Sequence, residues 1–321
     1  METFLIPGTD LRVSRLAYGC MNIGGAMDDS PLTPELRRSA REAVEATLEV
    51  GINFFDHADI YAAGKSEAVF GEILAASPGL RDRIILQSKC GIRMAAGPRE
   101  PKRYDFSYAH IVGSVERILR RLATDRLDIL LLHRPDPLAE PEEVARAFDD
   151  LHASGKVRHF GVSNHAGSQI ELLRRHVRQP LVVNQLQLSL AHASLIDEGV
   201  THNHGAAPPP VAGTLDYCRA RDIRVQAWAA LGGTRFLDSS VQTDEATRRT
   251  VALVGELAAE KGTAPEAILL AWLLRHPAGI QPLIGSTRPE RIRACAAAAT
   301  VQLSREEWYA LFTAARGAKL P

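Results

Sequence analysis

Much of what would mark a secreted, membrane-spanning or nucleic-acid-binding protein is missing from this chain. Cysteine is scarce: four residues in 321, Cys20, Cys90, Cys218 and Cys295, with no C-x-x-C pair among them. Scattered cysteines exclude a disulfide framework and point to a reduced, cytoplasmic setting. Net charge is absent too, with 38 Lys and Arg against 38 Asp and Glu. No basic field therefore exists to draw in nucleic acid or an anionic membrane. No apolar run nears the roughly 20 residues that cross a bilayer. The opening Met1-Glu2-Thr3-Phe4-Leu5-Ile6-Pro7-Gly8 lacks the basic segment and apolar stretch of a secretory signal. A Gly-rich G-x-G-x-x-G turn after the first strand is also missing, which argues against an open, doubly wound sheet. Lysine is rare: only Lys65, Lys89, Lys102, Lys156, Lys261 and Lys319. Arg carries the ordinary surface charge, so a lysine at the end of a buried strand stands out, because lysine tolerates burial and tuning as Arg does not.

What is present is an alternation of strand and helix patterns. A short hairpin opens the chain, its arms 4–6 and 12–13 flanking Pro7-Gly8-Thr9-Asp10. Eight strand patterns follow, at 16–19, 53–58, 84–89, 128–133, 159–164, 181–187, 224–230 and 281–285. Helical patterns separate them, from 34–50 and 66–75 through 108–122, 141–154, 167–176, 213–221 and 245–261 to 289–299, with an extra helix at 264–276 and a last one at 304–315. Thr33 and Ser107 read as N-caps, Gly51 and Gly155 as stops. Eight alternating units predict an α/β fold, a single (β/α)8 barrel spanning residues 1–321, with the hairpin plugging its bottom. The segments 95–105 and 198–212, the latter with Pro208-Pro209-Pro210, read as loops at the rim of the active face.

Three successive strands end in ionisable residues: Asp56, Lys89 and His133, with Tyr61 one short loop after Asp56. In such a barrel the C-terminal strand ends open onto one face, where active sites lie. A phenol has an unperturbed pKa near about 10. A neighbouring ammonium is expected to lower it, so Lys89 would activate Tyr61 while Asp56 holds Lys89. His133 would orient a carbonyl oxygen or relay a proton. The set suits protonation of an oxygen while another group delivers a hydride, and since none of the four donates hydride, a cofactor must.

These residues resemble the aldo-keto reductase family. The likeness rests on Gly51-Ile52-Asn53-Phe54-Phe55-Asp56-His57-Ala58-Asp59-Ile60-Tyr61, Ser66-Glu67, Phe70-Gly71, Ser88-Lys89, Leu132-His133, the run 155–164, Asn184-Gln185 and Ile284-Gly285-Ser286-Thr287. Within the family the chain is similar to bacterial oxidoreductases with His-Ala-Asp-Ile-Tyr and His-Arg-Pro-Asp-Pro, here 133–137. The resemblance implies reversible NADPH-dependent reduction of a carbonyl, with Tyr61 the general acid, Lys89 and Asp56 its support, and His133 orienting substrate. It further implies that Ser163, Asn164 and Gln185 hold the nicotinamide carboxamide and Trp228 stacks on the ring. Leu231, Gly232 and Gly233 would line the pyrophosphate, and Ser286, Thr287, Arg288 and Arg291 the adenosine end. Two guanidinium groups and hydroxyls at a helix start suit a 2′-phosphate, hence NADPH over NADH. Gly285 and Cys295 stand where many members carry Lys and Asn, so a modest cofactor affinity is expected. The alternative function is a slow-turnover NADPH-binding redox sensor of the same fold.

Ordinary readings compete at single positions. Asp56 alone could be a loop anchor, His133 a satisfied core histidine, Trp228 simple core, and Ser163-Asn164 the cap of the next helix. Gln185 is harder to set aside, since an amide in an apolar strand needs a partner. His57 and Asp59 alternate away from Asp56 and read as structural, as does Cys90. His202 and His204 lack a third ligand, so no metal is expected.

Overall fold

The computed structural model describes residues 1–202, 212–237 and 244–321. Strands β1 (Thr3–Leu5) and β2 (Arg12–Ser14) pair antiparallel. Then follow β3 (Ala17–Gly19), β4 (Phe54–Asp56), β5 (Ile85–Cys90), the small antiparallel pair β6 (Ile92–Arg93) and β7 (Arg103–Tyr104), β8 (Leu127–Leu132), β9 (Val157–Ser163), β10 (Leu181–Gln187), β11 (Arg224–Trp228) and β12 (Gln281–Ile284). Apart from the hairpin strands and β6/β7, these form one closed parallel barrel in which β12 pairs back onto β3. The α/β barrel architecture expected from the strand count is thus the one observed.

Side-chain parity explains what each strand contributes. On β8 Ile129 and Leu131 point inward and pack with Phe54, Val183 and Leu283, while Leu130 and Leu132 join the outer core against the helices. Ile6, Leu11 and Val13 of the hairpin region belong to the inner cluster and close the bottom of the barrel. Continuing the two-residue period upward, the inward positions above the apolar layer are Asp56, Gln87, Lys89, His133, Gln185, Gln226 and Trp228, while Gln281 shares the inward parity two residues before Leu283 on β12.

The helices around the barrel are α1 (Pro34–Glu49), α2 (Lys65–Ala75), α3 (Tyr108–Leu122), α4 (Pro141–Ala153), α5 (Gly167–Arg174), α6 (Ser194–Thr201), α7 (Thr214–Ala220), α8 (Glu245–Glu260), α9 (Pro265–Leu274), α10 (Pro289–Ala296) and α11 (Arg305–Arg316). α1 starts as its sequence dictates: Thr33 accepts from Leu36 N and Pro34 takes the first helical position. α3 is capped by Ser107 and buries Ile111, Val115, Ile118, Leu119 and Leu122, a stripe at helical spacing. α2 reaches α3 closely because residue 71 is glycine. A Cβ there would lie 2.0 Å from the Arg121 carbonyl oxygen.

Two expected loops differ. The segment 95–105 is folded back on itself by the β6/β7 pair and a Gly97–Glu100 bridge. The segment 198–212 begins inside α6, whose buried Leu195 and Ile196 anchor it, an amphipathic pattern too short to separate from a loop by period alone. Residues 203–211, including His204 and the three prolines, lie outside the described residues. Among the described residues no helix is long and apolar enough to cross a membrane.

Candidate active site

Lys89, on β5, is fully buried, and its ammonium has three hydrogens with three acceptors: Asp56 Oδ2 at 2.6 Å, the His57 carbonyl at 2.9 Å and Tyr61 Oη at 3.1 Å. Tyr61 enters from the loop after β4. Its position depends on an unusual backbone: Ala62, Ala63 and Gly64 all have positive φ, at 48°, 56° and 90°. Two alanines in the left-handed region cost about 1–2 kcal/mol each, a strain held by the packed ends of the turn. His133 follows β8, and its ring lies edge-on to Tyr61 at 6.0 Å between centroids. Asp56, Lys89, Tyr61 and His133 therefore meet in one place.

Burial sets the protonation states. The Tyr61 hydroxyl is pushed up by desolvation, and Lys89 pulls it down without overcoming that effect. The ammonium does pull the hydroxyl down, as expected, but desolvation outweighs it, so the net shift is upward and the phenol stays neutral. Desolvation pulls Lys89 down, but Asp56 and Tyr61 outweigh it and the ammonium is held above its usual range. His133 is driven well below its usual value, first by burial and then by Lys89, Arg134 and Lys102. It is a neutral imidazole whose buried Nδ1 has no partner among the described residues.

The residues expected at the nicotinamide also converge. Ser163 donates to the Gln185 carbonyl at 2.8 Å, and Asn164, at φ 61°, sends its amide to Ser163 Oγ and the His133 carbonyl. Trp228 Nε1 donates to Asn164 Oδ1 at 3.0 Å. Ser163 and Asn164 do not cap the next helix, which starts at Gly167 after Ala166. Gln185, whose backbone carbonyl accepts from Ser163, commits its side-chain NH2 to Asp56 and Gln226 at 3.0 and 3.1 Å, leaving its side-chain Oε1 for a donor. Beyond Trp228 the chain turns through Leu231, Gly232 and Gly233, the glycines at φ 66° and 72°. A Cβ on Gly232 would strike Ala191, whereas Gly233 borders open space. At β12's end the Ser286 carbonyl accepts from the buried Tyr18 hydroxyl, and Ser286 Oγ accepts from the Arg288 amide. Thr287 and Arg288 lead into α10. Arg291 lies 3.4 Å from Glu266, and Cys295 is buried beside them, its thiol pushed up to about 12 mainly by desolvation. An amide edge with a spare acceptor, an open Gly-Gly turn and an arginine-bearing helix start fit a nicotinamide dinucleotide.

Residues the sequence reading passed over belong here as well. Arg134 places its guanidinium 5.5 Å from the Trp228 ring and, with Lys102, makes the mouth cationic. Gln87 and Gln226 join Gln185 beneath Asp56. The partner argument applied to Gln185 would have found them, since each is a polar residue at inward parity in an apolar strand. His57 and Asp59 face away, as expected: His57 packs its ring 4.7 Å from Phe70, and Asp59 sits near Glu67, Arg117 and Arg121. Cys90 lies in the outer core. Among the described residues no group of three or more His, Cys, Asp or Glu could hold a metal.

The closed parallel barrel with this set at its strand ends places the chain among (β/α)8 barrel proteins, and the comparisons give the family. Residues 15–315 match the sequence model of the Aldo/keto reductase family, and the chain belongs to that family. It is an NAD(P)H-dependent oxidoreductase acting on alcohol and carbonyl groups, an enzyme of small-molecule substrates. It is 38% identical over 310 residues, 96% of each chain, to the 6-dehydroglucose reductase of Agrobacterium fabrum. It is 41% identical over 290 residues, 88% of this chain and 90% of the relative, to an oxidoreductase of Escherichia coli. The solved glycerol dehydrogenase of Gluconobacter oxydans superposes with a TM-score of 0.80 at 26% identity, covering 97% of this chain and 94% of that one.

Proposed function

We propose that this protein reduces an aldehyde or ketone to the alcohol, reversibly, with NADPH preferred over NADH and Tyr61 as general acid. The observation that carries the reading is the set of bonds at Lys89. Its third hydrogen is donated to Tyr61 Oη, so the phenol's own proton is directed elsewhere, toward a substrate oxygen. A bound dihydronicotinamide supplies the hydride. As the carbonyl oxygen gains charge, Tyr61 gives up its proton, and the ammonium beside it stabilises the phenolate left behind. Asp56 keeps Lys89 charged and in place. Neutral His133 orients the carbonyl through a ring N–H.

Ser163, Asn164 and Gln185 hold the carboxamide, Trp228 covers the ring, and Leu231, Gly232 and Gly233 follow the pyrophosphate. Ser286, Thr287, Arg288 and Arg291 take the adenosine end, where a 2′-phosphate would draw Arg291 from Glu266. An aldehydic sugar is the first substrate to try, given the relatives named for 6-dehydroglucose. We place the protein in the cytoplasm, as one barrel domain over residues 1–321.

Titration with NADPH and NADH, followed by tryptophan fluorescence and then turnover with aldehydes, tests the proposal. Tight NADPH binding, weaker NADH binding and multiple turnovers are expected. A single stoichiometric oxidation of NADPH without turnover would favour the redox sensor instead, and no binding of either nucleotide would sink both.

A further inference from the structure

Four glutamines fill the level of the barrel beneath the reacting residues. Gln87, Gln185, Gln226 and Gln281 are buried on β5, β10, β11 and β12. Strand register sets Asp56 beside Gln87, and Gln185, Gln226 and Gln281 abreast. Apolar side chains would fill this level with no polar atoms to satisfy, and every buried amide must find partners. The cost of placing amides here calls for a reason.

The bond directions are forced from both ends. A carboxylate can only accept, so Gln87 and Gln185 must turn their NH2 groups to Asp56 Oδ1, at 2.6 and 3.0 Å. Each spends its second hydrogen on Gln226 Oε1, at 2.8 and 3.1 Å. Gln226 must then present its NH2 on the other side, where Gln281 Oε1 accepts at 3.0 Å. Gln281 in turn donates to the Ser14 carbonyl at 2.8 Å, an acceptor fixed in the bottom hairpin. The frame leaves Gln87 Oε1 buried without a partner among the described residues. Turning that amide over would relieve the orphan only by setting oxygen against oxygen. With both amides on Oδ1, Oδ2 is left to face Lys89.

We propose that Gln226 is a positioning residue for the proton donor: it orients Gln87 and Gln185, which fix the rotation of Asp56 and so hold the Lys89 ammonium at Tyr61. The reaction it serves rests on the carbonyl-reduction reading above. Loss of the shared acceptor frees Asp56 to rotate, and Lys89 then loses its fixed geometry; Gln185 loses one of its two anchors but keeps its bond to Asp56.

The test compares Gln226→Leu with wild type in three readouts: kcat and KM for an aldehyde, NADPH affinity, and the slowly exchanging Lys89 ammonium signal in 15N NMR. Expected for Gln226→Leu are a kcat about tenfold lower, the equivalent of one buried hydrogen bond, an unchanged KM for the aldehyde, an NADPH affinity that falls less than kcat because Gln185 keeps its bond to Asp56, and loss of the ammonium signal. A folded variant with wild-type kcat and an intact signal overturns the proposal. Should Gln226→Leu not fold, Gln281→Leu decides. It keeps the acceptor for Gln87 and Gln185 but lets the Gln226 amide turn, so a smaller fall in kcat at constant KM is expected, and none overturns the idea. If wild type binds NADPH yet reduces no carbonyl, the reduction reading fails by itself, and the ammonium signal alone judges the positioning claim.

Discussion

At the residue scale the site depends on which effect dominates at each ionisable group. The Tyr61 hydroxyl is raised by burial more than Lys89 lowers it, so the residue keeps its proton at neutral pH, as the proposed role of general acid requires. Tyr61→Phe keeps the ring and removes the hydroxyl, and with it the proposed proton donor. Reduction is expected to fall by at least about 10²-fold with NADPH binding retained, measured by steady-state kinetics and fluorescence titration. Lys89→Met has a second consequence, because it strands the Asp56 carboxylate in the barrel. Breaking a buried pair by removing one partner costs about 3–5 kcal/mol, so this variant is expected to lose stability in denaturant titration as well as turnover. Arg291→Ala is expected to weaken NADPH more than NADH in parallel titrations. Equal losses would argue against a contact with the 2′-phosphate.

At the element scale the decisive contacts lie where helices approach each other. Gly71 lets α2 rest against the backbone of α3, and a methyl group has nowhere to go. Gly71→Ala is therefore expected to destabilise by about 1–3 kcal/mol, the usual range for overpacking, and to disturb the Tyr61 turn that leads into α2. A lowered Tm with reduced kcat is the expected result; an unchanged Tm would show that the helices can part cheaply. On the far side α9 and α11 are joined by Trp272 and Trp308, stacked 5.0 Å apart, each indole N–H donating to the other's carbonyl. The cap and amphipathic signals behind these elements were plain in the sequence. Their ends were not always so: α5 stops at Arg174 and α10 at Ala296, short of the expected limits. Helix ends fray and tighten into 3-10 turns, as α10 does over Ala297–Ala299, so a pattern read from sequence overruns them by a few residues.

At the scale of the whole molecule, stability is tied to pH through groups held wholly or partly out of solvent. Burial lowers His57 to about 3 and His165 and His276 to about 4. Each is bound by protons more readily when unfolded, so its contribution is full above about 6.5 and lost as pH falls through the lowered value. Asp59 is the opposite case. Burial, then Glu67, push it up to about 7 from 3.8, so its contribution is full below its ordinary value and lost as pH rises through 7. His133 acts with the lowered histidines and the raised Glu67 acts with Asp59; the lowered histidines outnumber the raised carboxyls, and Tm is expected to fall between pH 7 and pH 5. Asp59→Asn is expected to raise Tm at pH 8 and leave it unchanged at pH 5, and a uniform shift would refute the buried-carboxyl argument. The sequence by itself determined the barrel, because eight apolar strands alternating with capped helices leave few other closures. It also determined the strand-end positions of Asp56, Lys89 and His133, because a two-residue period carries parity along each strand. Only the tertiary structure decided that desolvation overrides the ammonium at Tyr61 and that 95–105 folds back into a small strand pair. It alone joined Gln87, Gln226 and Gln281 to Asp56. Those outcomes depend on distances between strands remote in sequence, and local pattern carries no record of them.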